Sequence, residues 1–475
     1  MPSGASIGTN TIASLDPAAA EPYYRQIYDR FRAAIASGVL KPGDRIPSAR
    51  ALAQELGLAR GTIESAYSLM AAEGYIESRG QAGTIVTPGL APRAPVALTV
   101  PRFPVKVSAP TFLPDTTLPF QMGLPALDAF PRKVWARLGA RCVRAMQPAD
   151  MAHPPVHGLP DLRAEIAAYL HVSRGIGCSA AQVFVTSGYR HTMELIGRAL
   201  LTAGDRVWLE NPGYPPTREL LKDMNAQAVP VPVDRDGLVV SEGVRLAPRA
   251  RAAVVTPAHQ SPLSVSLSLP RRLALLDWAA RSSAWIVEDD YDGEYRYVSR
   301  PLPALKSLDR DGRVLYAGTF SKVLFPSLRL AYLVVPPDQV ERFEPISQGM
   351  AGGCPQLTQA IVTAFIKEGH FARHIQRMRR LYAERREATV AGLEGVLGKR
   401  MRIDAQPGGM HLILRWSNKR SDRALVARMR EVGLYAEALR DWTIDGDGAS
   451  GLLVSFTNVD SRRTAEKLAA RILTV

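Results

Sequence analysis

The stretch YAGTFSKVLFPSLR, residues 316–329, sets a single lysine, Lys322, just past a short apolar run and among hydroxyl residues, with Arg329 seven positions on. An apolar run that stops so abruptly reads as a buried strand ending at a polar loop. The remainder of the chain from about residue 118 alternates short β-rich runs with helical patterns. That alternation predicts an α/β domain with a mostly parallel sheet. In open sheets of this kind ligands sit beyond the carboxyl ends of the strands, so the residues just past each run are the candidates for a site.

Five stops converge. VFVTSG (183–188) brings Ser187 and Gly188, followed by Tyr189, to a helix start whose free amides suit a phosphate. RVWLENPGY (206–214) ends on Tyr214 after a Pro-Gly turn, an aromatic face for a flat ring. AAVVTPAHQ (252–260) presents His259 and Gln260, WIVEDDYDGEY (285–295) presents Asp289 and Tyr291, and VLYAGTFSK (314–322) presents Thr319, Ser321 and Lys322. Pyridoxal 5′-phosphate (PLP) asks for this inventory. It needs a lysine for a Schiff base, a carboxylate for its pyridine nitrogen, a donor for its phenolic oxygen, a stacking partner, and amides, hydroxyls and an arginine for its phosphate. Each residue alone also reads as a surface charge, a helix cap or a core side chain. Their coincidence at five strand ends carries the assignment.

From about Pro119 onward the chain resembles the fold-type I aminotransferases, most specifically in EDDYD (288–292) and GTFSKVLFPSLR (318–329). The resemblance implies Lys322 as the Schiff-base lysine, Asp289 at the pyridine nitrogen, Tyr291 at the phenolic oxygen and Tyr214 over the ring. It places Ser187, Gly188, Ser321 and Arg329 around the phosphate. Arg440, in ALRDW, falls in a region where this fold often supplies an arginine to a substrate carboxylate; a surface role for it is the alternative.

The first ninety residues have another character. Tyr24, Ile27, Tyr28, Phe31 and Ile35 recur three and four apart, which predicts one apolar stripe on a helix ended by Gly38. KPGDRIPSAR (41–50) reads as a loop with Ser48 as N-cap of a second helix. Gly57 turns the chain into a third helix from Arg60, and two β segments around SRGQAG predict a hairpin. This order is that of a winged helix-turn-helix, with the third helix in a major groove; a small bundle with no nucleic-acid role has the same pattern. Arg45, Ser48, Arg50, Arg60, Thr62, Arg79 and Gly83 are the candidate DNA contacts, with Arg60 or Thr62 at base edges. Residues 38–86 resemble the DNA-binding domain of GntR-type bacterial regulators. They depart from it at Ala59, where a capping Ser or Thr is usual, and at Glu64, an acid on the recognition helix.

Joined, the two parts resemble the MocR/GabR subgroup of those regulators. The expected division is a tail over 1–20, the winged domain over 21–88, a Pro-rich tether over 89–117 and the PLP-binding domain over 118–475, with a small subdomain from about 356. The resemblance implies a regulator that binds double-stranded operator DNA as a homodimer and senses PLP, or an amine or amino acid through it. An active aminotransferase with an appended DNA module is the alternative.

Composition adds limits. The net charge of +14 does not come from the winged domain. Met1 to Pro88 holds eight basic residues (Arg25, Arg30, Arg32, Lys41, Arg45, Arg50, Arg60, Arg79) against eight acids (Asp16, Glu21, Asp29, Asp44, Glu55, Glu64, Glu73, Glu77). Long-range attraction to DNA is therefore weak for this part. Cys142, Cys178 and Cys354 form no CxxC pair, so neither a metal site nor a disulfide framework is expected. The absence of a long apolar run and of a signal-like start predicts a cytoplasmic protein without membrane association.

Overall fold

Apolar spacing builds the N-terminal unit, one of two compact units in the chain. The computed structural model describes residues 15–19, 21–80, 83–88, 117–297, 303–350, 353–406, 408–416, 420–444 and 450–475. The Pro-rich tether and most of the expected tail lie outside them. Helix α1 (Tyr23–Ala36) buries Ile27, Tyr28, Phe31 and Ile35. Tyr24 is 39% exposed, so the buried arc is narrower than the stripe in the sequence. The segment read as a loop contains a strand, β1 (Arg45–Ile46). Next come α2 (Ala49–Leu56), α3 (Arg60–Ala72), β2 (Ile76–Ser78) and β3 (Thr84–Val86). β1 pairs with β3 to give a three-stranded sheet in the order β1-β3-β2. Ser48 caps α2 by accepting from the Ala51 amide at 3.2 Å, and Gly57, at φ +64°, ends it in the left-handed region that glycine tolerates. Ile63, Ala66, Tyr67 and Met70 seat α3 on the same core.

In the C-terminal unit α4 (Arg132–Ala145) and α5 (Pro160–Arg174) precede β4 (Val183–Thr186), α6 (Tyr189–Leu200), β5 (Arg206–Asn211), α7 (Pro215–Asp223) and β6 (Gln227–Asp234). Then come β7 (Gly237–Leu238), α8 (Val240–Leu246), β8 (Ala252–Val255), α9 (Leu269–Ser282), β9 (Trp285–Asp290), β10 (Val314–Thr319) and β11 (Ala331–Val334). The eight strands form one sheet in the order β4-β11-β10-β9-β8-β5-β6-β7. Six run parallel, while β7 at the edge and β11 inside run against them. Because β11 is reversed, its first residue, Ala331, pairs with both Thr319 and Thr186. The loop before β11 thus joins the carboxyl ends of β10 and β4.

Helices α10 (Val340–Gly349), α11 (Gln356–Lys367) and α12 (His370–Leu397) lead to β12 (Arg402–Asp404), β13 (His411–Arg415), α13 (Asp422–Glu431), β14 (Glu437–Ala438), β15 (Leu452–Ser455) and α14 (Arg462–Leu473). A second sheet runs β12-β13-β15-β14. Its core takes Phe120 and Ala126 from the start of the unit, and Met378, Leu412, Phe456 and Leu468 from its end. The small lobe starts later than the expected residue 356. Ile361, Val362 and Phe365 of α11 bury against Leu138 and Leu162 in the large lobe, and the change of core falls inside α12, between Ile375 and Met378. Among the described residues no helix is long and apolar enough to cross a membrane.

One run of acids sits inside this packing. Glu288, Asp289, Asp290, Asp292 and Glu294 are all buried at the end of β9. Both oxygens of Glu288 accept backbone amides, from Leu305 and Lys306, at 2.8 Å. Asp290 accepts from Arg174 Nε at 2.6 Å, Tyr316 at 2.5 Å and the Gly293 amide at 3.0 Å. Glu294 accepts from Tyr169 at 2.8 Å and lies 3.0 Å from Arg174 Nη2, an ion pair by distance whose N–H is not aligned as a hydrogen bond. Arg174, 3% exposed at the end of α5, is therefore the counter-charge of two buried carboxylates. Its replacement, Arg174→Ala, is expected to cost about 3–5 kcal/mol, the usual penalty for leaving buried charge unpaired. Denaturant unfolding of the purified variant measures it, and a loss below about 1 kcal/mol contradicts the assignment.

Candidate functional site

The carboxyl ends of β4, β9 and β10, the start of β11 and the small lobe enclose a cavity of about 320 Å³, within the range of small-molecule sites. Gly188, Tyr189, Tyr214, Asp289, Tyr291, Thr319, Ser321, Lys322 and Arg329 all line it. Residues up to 320 positions apart in sequence, from Met122 to Trp442, thus share one wall.

Lys322 donates from Nζ to the Gly123 carbonyl at 2.8 Å. Gly123 has φ +76°, a conformation that favours glycine, and a Cβ there would lie 2.7 Å from that nitrogen and displace the end of the lysine side chain. Burial holds the Lys322 ammonium below its ordinary pKa, against the pull of Asp292, Glu437 and Asp289. Asp289 behaves oppositely. Burial first, then Asp290, Glu210 and Asp292, push its carboxyl up to about 8, while Lys322 draws it down. A carboxyl in this state is short of positive charge.

Tyr291 has its hydroxyl 3.3 Å from His259 Nδ1, which is also 3.2 Å from Asp292. The Tyr214 ring, 39% exposed, meets Tyr189 edge-on at 5.6 Å and Trp442 at 5.7 Å. At the other end, Gly188 has φ +114°, and a Cβ on it would stand 3.3 Å from Arg329 Nη2. Thr319 Oγ1 accepts the Ser321 amide at 3.1 Å and so shapes the turn beside Lys322. Here amides, hydroxyls and a guanidinium meet, the donor set of an anion cradle.

Three expected residues stand elsewhere. Gln260 is off the cavity wall, because its amide donates to Glu210, Pro212 O and Ser261 O and its oxygen accepts the Leu263 amide. Ser187 is also off the wall; its amide and hydroxyl both meet His191 Nδ1 at 3.1 Å. Arg440, expected either at a ligand carboxylate or at the surface, is off the cavity wall. Its Nε donates to Ser450 at 3.1 Å and stands 3.9 Å from Asp422, so it belongs to the small lobe's own packing.

The matching families agree with this geometry. The description "Aminotransferase class I and II" matches residues 124–470, and "Bacterial regulatory proteins, gntR family" matches 23–86. The probable rhizopine catabolism regulatory protein MocR of Rhizobium meliloti is 38% identical over 95% of this chain and 93% of its own. The pyridoxine biosynthesis transcriptional regulator PdxR of Corynebacterium glutamicum is 33% identical over 92% of each chain. The chain belongs to the MocR type of GntR regulators. Among solved structures, LysN, the alpha-aminoadipate aminotransferase of Thermus thermophilus complexed with N-(5′-phosphopyridoxyl)-L-leucine, is similar at TM-score 0.68 and 27% identity. That likeness covers 75% of this chain and 93% of the other.

In this MocR-type chain the sequence reading missed Met122, Gly123, Met410, His411, Glu437 and Trp442, all on the cavity wall. None of these follows a strand of the large sheet; Ser261, just past the β8 run, lines the wall as well. Burial lowers the His411 pKa to about 4, so its ring is neutral at ordinary pH.

On the DNA-binding unit Arg60 pairs with Glu64 at 2.7 Å and Arg79 with Glu77 at 2.6 Å, on exposed side chains. Arg45 lies across the hairpin glycine: a Cβ on Gly83, at φ +85°, would come within 2.8 Å of Arg45 Nε. Arg50 is exposed near the start of α2, and Thr62 is half-buried in the first turn of α3. The Ser48 hydroxyl is engaged as the cap of α2.

The raised Asp289 carboxyl has a consequence for stability. Its folded pKa, about 8, exceeds the ordinary value of 3.8, so the folded state keeps this proton after the unfolded state has lost it. Ligand-free protein therefore loses stability as pH rises from about 4 through about 8. Asp289→Asn removes this contribution, while the same-signed contributions of Glu210 and Glu288 persist in both proteins. Melting temperatures from about pH 5 to about pH 9 should show the variant gaining on wild type as pH rises. A difference that stays constant with pH contradicts the assignment.

Proposed function

We propose that this MocR-type regulator holds PLP in the cavity at the strand ends and uses it to sense an amine, the outcome being a change in how a homodimer engages operator DNA. The observation that carries the reading is the shared cavity wall of Lys322, Asp289, Tyr214 and the Gly188–Arg329 cradle. The residues fit the cofactor's demands. Lys322 offers an amine whose charge is already disfavoured by burial, and Asp289 a carboxyl in want of a cation. Tyr291 offers a phenol placed beside His259, Tyr214 a ring face, and Gly188, Thr319, Ser321 and Arg329 an anion cradle. When bound, PLP supplies an aldehyde that condenses reversibly with primary amines and a ring that withdraws electrons.

This chain's own residues orient and protonate. Asp289 holds positive charge at one edge of the site, and Arg329 with the Gly188 amide holds negative charge at the other. Lys322 rests on Gly123 O, close after the tether in sequence. A Schiff base at Lys322 would take up the amine that donates to Gly123 O, and exchange for an effector amine would free it again, which gives the sensing event a local route into the residues that follow the tether in sequence. A ligand shifts the DNA-bound arrangement only by its differential affinity for the two states. Two winged domains read two half-sites, which favours the dimer.

The experiment is borohydride reduction of PLP-loaded protein followed by peptide mapping. The pyridoxyl group should be found on Lys322, and Lys322→Ala should bind operator DNA while losing its response to amines. Label on another lysine, or an intact response in the variant, refutes the proposal.

On the DNA side Arg60 acts at a base edge and Arg50, Arg79 and Arg45 act at phosphates. Arg60→Ala should then cost about 1–3 kcal/mol on the operator and relax its sequence preference, while Arg79→Ala weakens all duplexes alike and flattens the salt dependence. Binding to operator and scrambled duplexes at several salt concentrations separates the two. Equal losses on both duplexes for Arg60→Ala remove it from base reading.

A further inference from the structure

The small lobe contributes Met410, His411, Glu437 and Trp442 to the cavity, and the segment before it contributes Met122. Among the described lining residues the cations are Lys322 and Arg329, one the reactive amine and the other set against Gly188 at the anion cradle. His411, neutral and with Nε2 2.8 Å from Pro262 O, adds no charge. The lobe that faces the ligand thus brings one ionisable acid and no guanidinium or ammonium.

Glu437 is built for position. It lies on β14, accepts from the Tyr435 hydroxyl at 2.9 Å through one oxygen and from Trp442 Nε1 at 3.1 Å through the other. A carboxylate can accept about four hydrogen bonds, so each oxygen keeps capacity for a ligand. Burial raises its pKa while Lys322 and Arg430 lower it, the mark of a carboxyl that would be stabilised by a further cation or donor. Two nearby arginines are absent from the cavity wall. Arg440 is off the wall, and Arg218, in a smaller pocket bounded by Tyr214 and Trp442, donates to Thr443 O at 3.1 Å.

The geometry points to an effector that carries, besides its reactive primary amine, a cationic or hydroxyl donor received by Glu437, and no carboxylate. This rests on the PLP reading above and deepens it. An amino acid would bring its carboxylate toward Glu437 on a wall where the described cations are Lys322 and Arg329, a like-charge approach in a poorly solvated site; Arg218, Arg423 and Arg430 border Glu437 in a separate pocket. A diamine or an amino alcohol instead completes the lone pairs of Glu437. A hydrogen bond to a charged group contributes about 1.5–3 kcal/mol, or roughly tenfold and upward in affinity.

The test titrates full-length PLP-loaded protein with putrescine, aminobutanol and aminobutyrate, which share one carbon spacing, and follows the visible absorption of the cofactor. Putrescine or aminobutanol should change the spectrum at concentrations about tenfold or more below aminobutyrate. Response to putrescine alone identifies a cationic donor, and response to both identifies a hydroxyl as sufficient. Glu437→Gln keeps the size of the side chain and should bring the ratio of the three affinities close to one. The inference is overturned if aminobutyrate binds as well as the others in wild type, if Glu437→Gln leaves the ratio unchanged, or if Arg218→Ala selectively removes aminobutyrate binding. Silence to all three while borohydride still fixes the cofactor on Lys322 overturns it and leaves the PLP reading standing. Absence of label on Lys322 removes both.

Discussion

Five carboxyls buried at the end of one strand are the constraint on which the C-terminal unit turns. Such a run is tolerable in a core only if each acid is answered separately, and the answers come from elements far apart in the chain. Glu288 is met by the amides of Leu305 and Lys306, Asp290 and Glu294 by Arg174 and two tyrosines, and Asp292 by His259. Asp289 alone is turned to the cavity, with its charge disfavoured by its neighbours. Alternation along β9 is the reason for this separation, since successive side chains of a strand point to opposite faces. The same packing that holds the sheet together therefore leaves one unsatisfied acid where a ligand can meet it.

The second determinant is a reversal of direction. In a sheet of wholly parallel strands the start of β11 would lie at the far edge, away from the strand ends. Because β11 is antiparallel, Ala331 pairs with both Thr319 and Thr186, and Arg329 arrives beside Gly188 and the turn that carries Lys322. One register thus sets the spacing between Lys322 and the Gly188–Arg329 contact. The small lobe then closes the cavity with side chains of mixed chemistry, and its character, acidic and aromatic, is independent of the geometry of the large sheet.

The DNA-binding unit follows a different economy. Its basic and acidic residues balance, and Arg60 and Arg79 each have a glutamate beside them. Exposed pairs of this kind contribute little to stability and are screened by salt. What they change is the charge that a duplex meets, so binding depends on contacts at short range more than on a long-range field.

Much was legible in the sequence because it depends on local rules. The stripe of Ile27, Phe31 and Ile35, the Ser48 cap, the turn at Gly57 and the alternation of strands with helices are all short-range patterns, and they gave both units their architecture. Strand ends gave Lys322, Asp289, Tyr214, Tyr291 and Gly188 as candidates, since polar residues just past a buried run have one general explanation. What depended on register and lobe packing was not legible. β1 has two residues and exists only because β3 pairs with it. Gln260 and Ser187 follow strands in sequence, yet their hydrogen-bonding groups are taken by Glu210 and His191. Arg440 sits three residues from Glu437, and no spacing rule says which of the two enters the cavity. In the fold Glu437, on β14, lines the cavity with Lys322, while Arg440, in the turn that follows, stands with Asp422 and Ser450. Local sequence determined which elements form; the tertiary fold alone decided which side chains meet, because contacts between distant segments depend on pairing register and on cores that no short stretch contains.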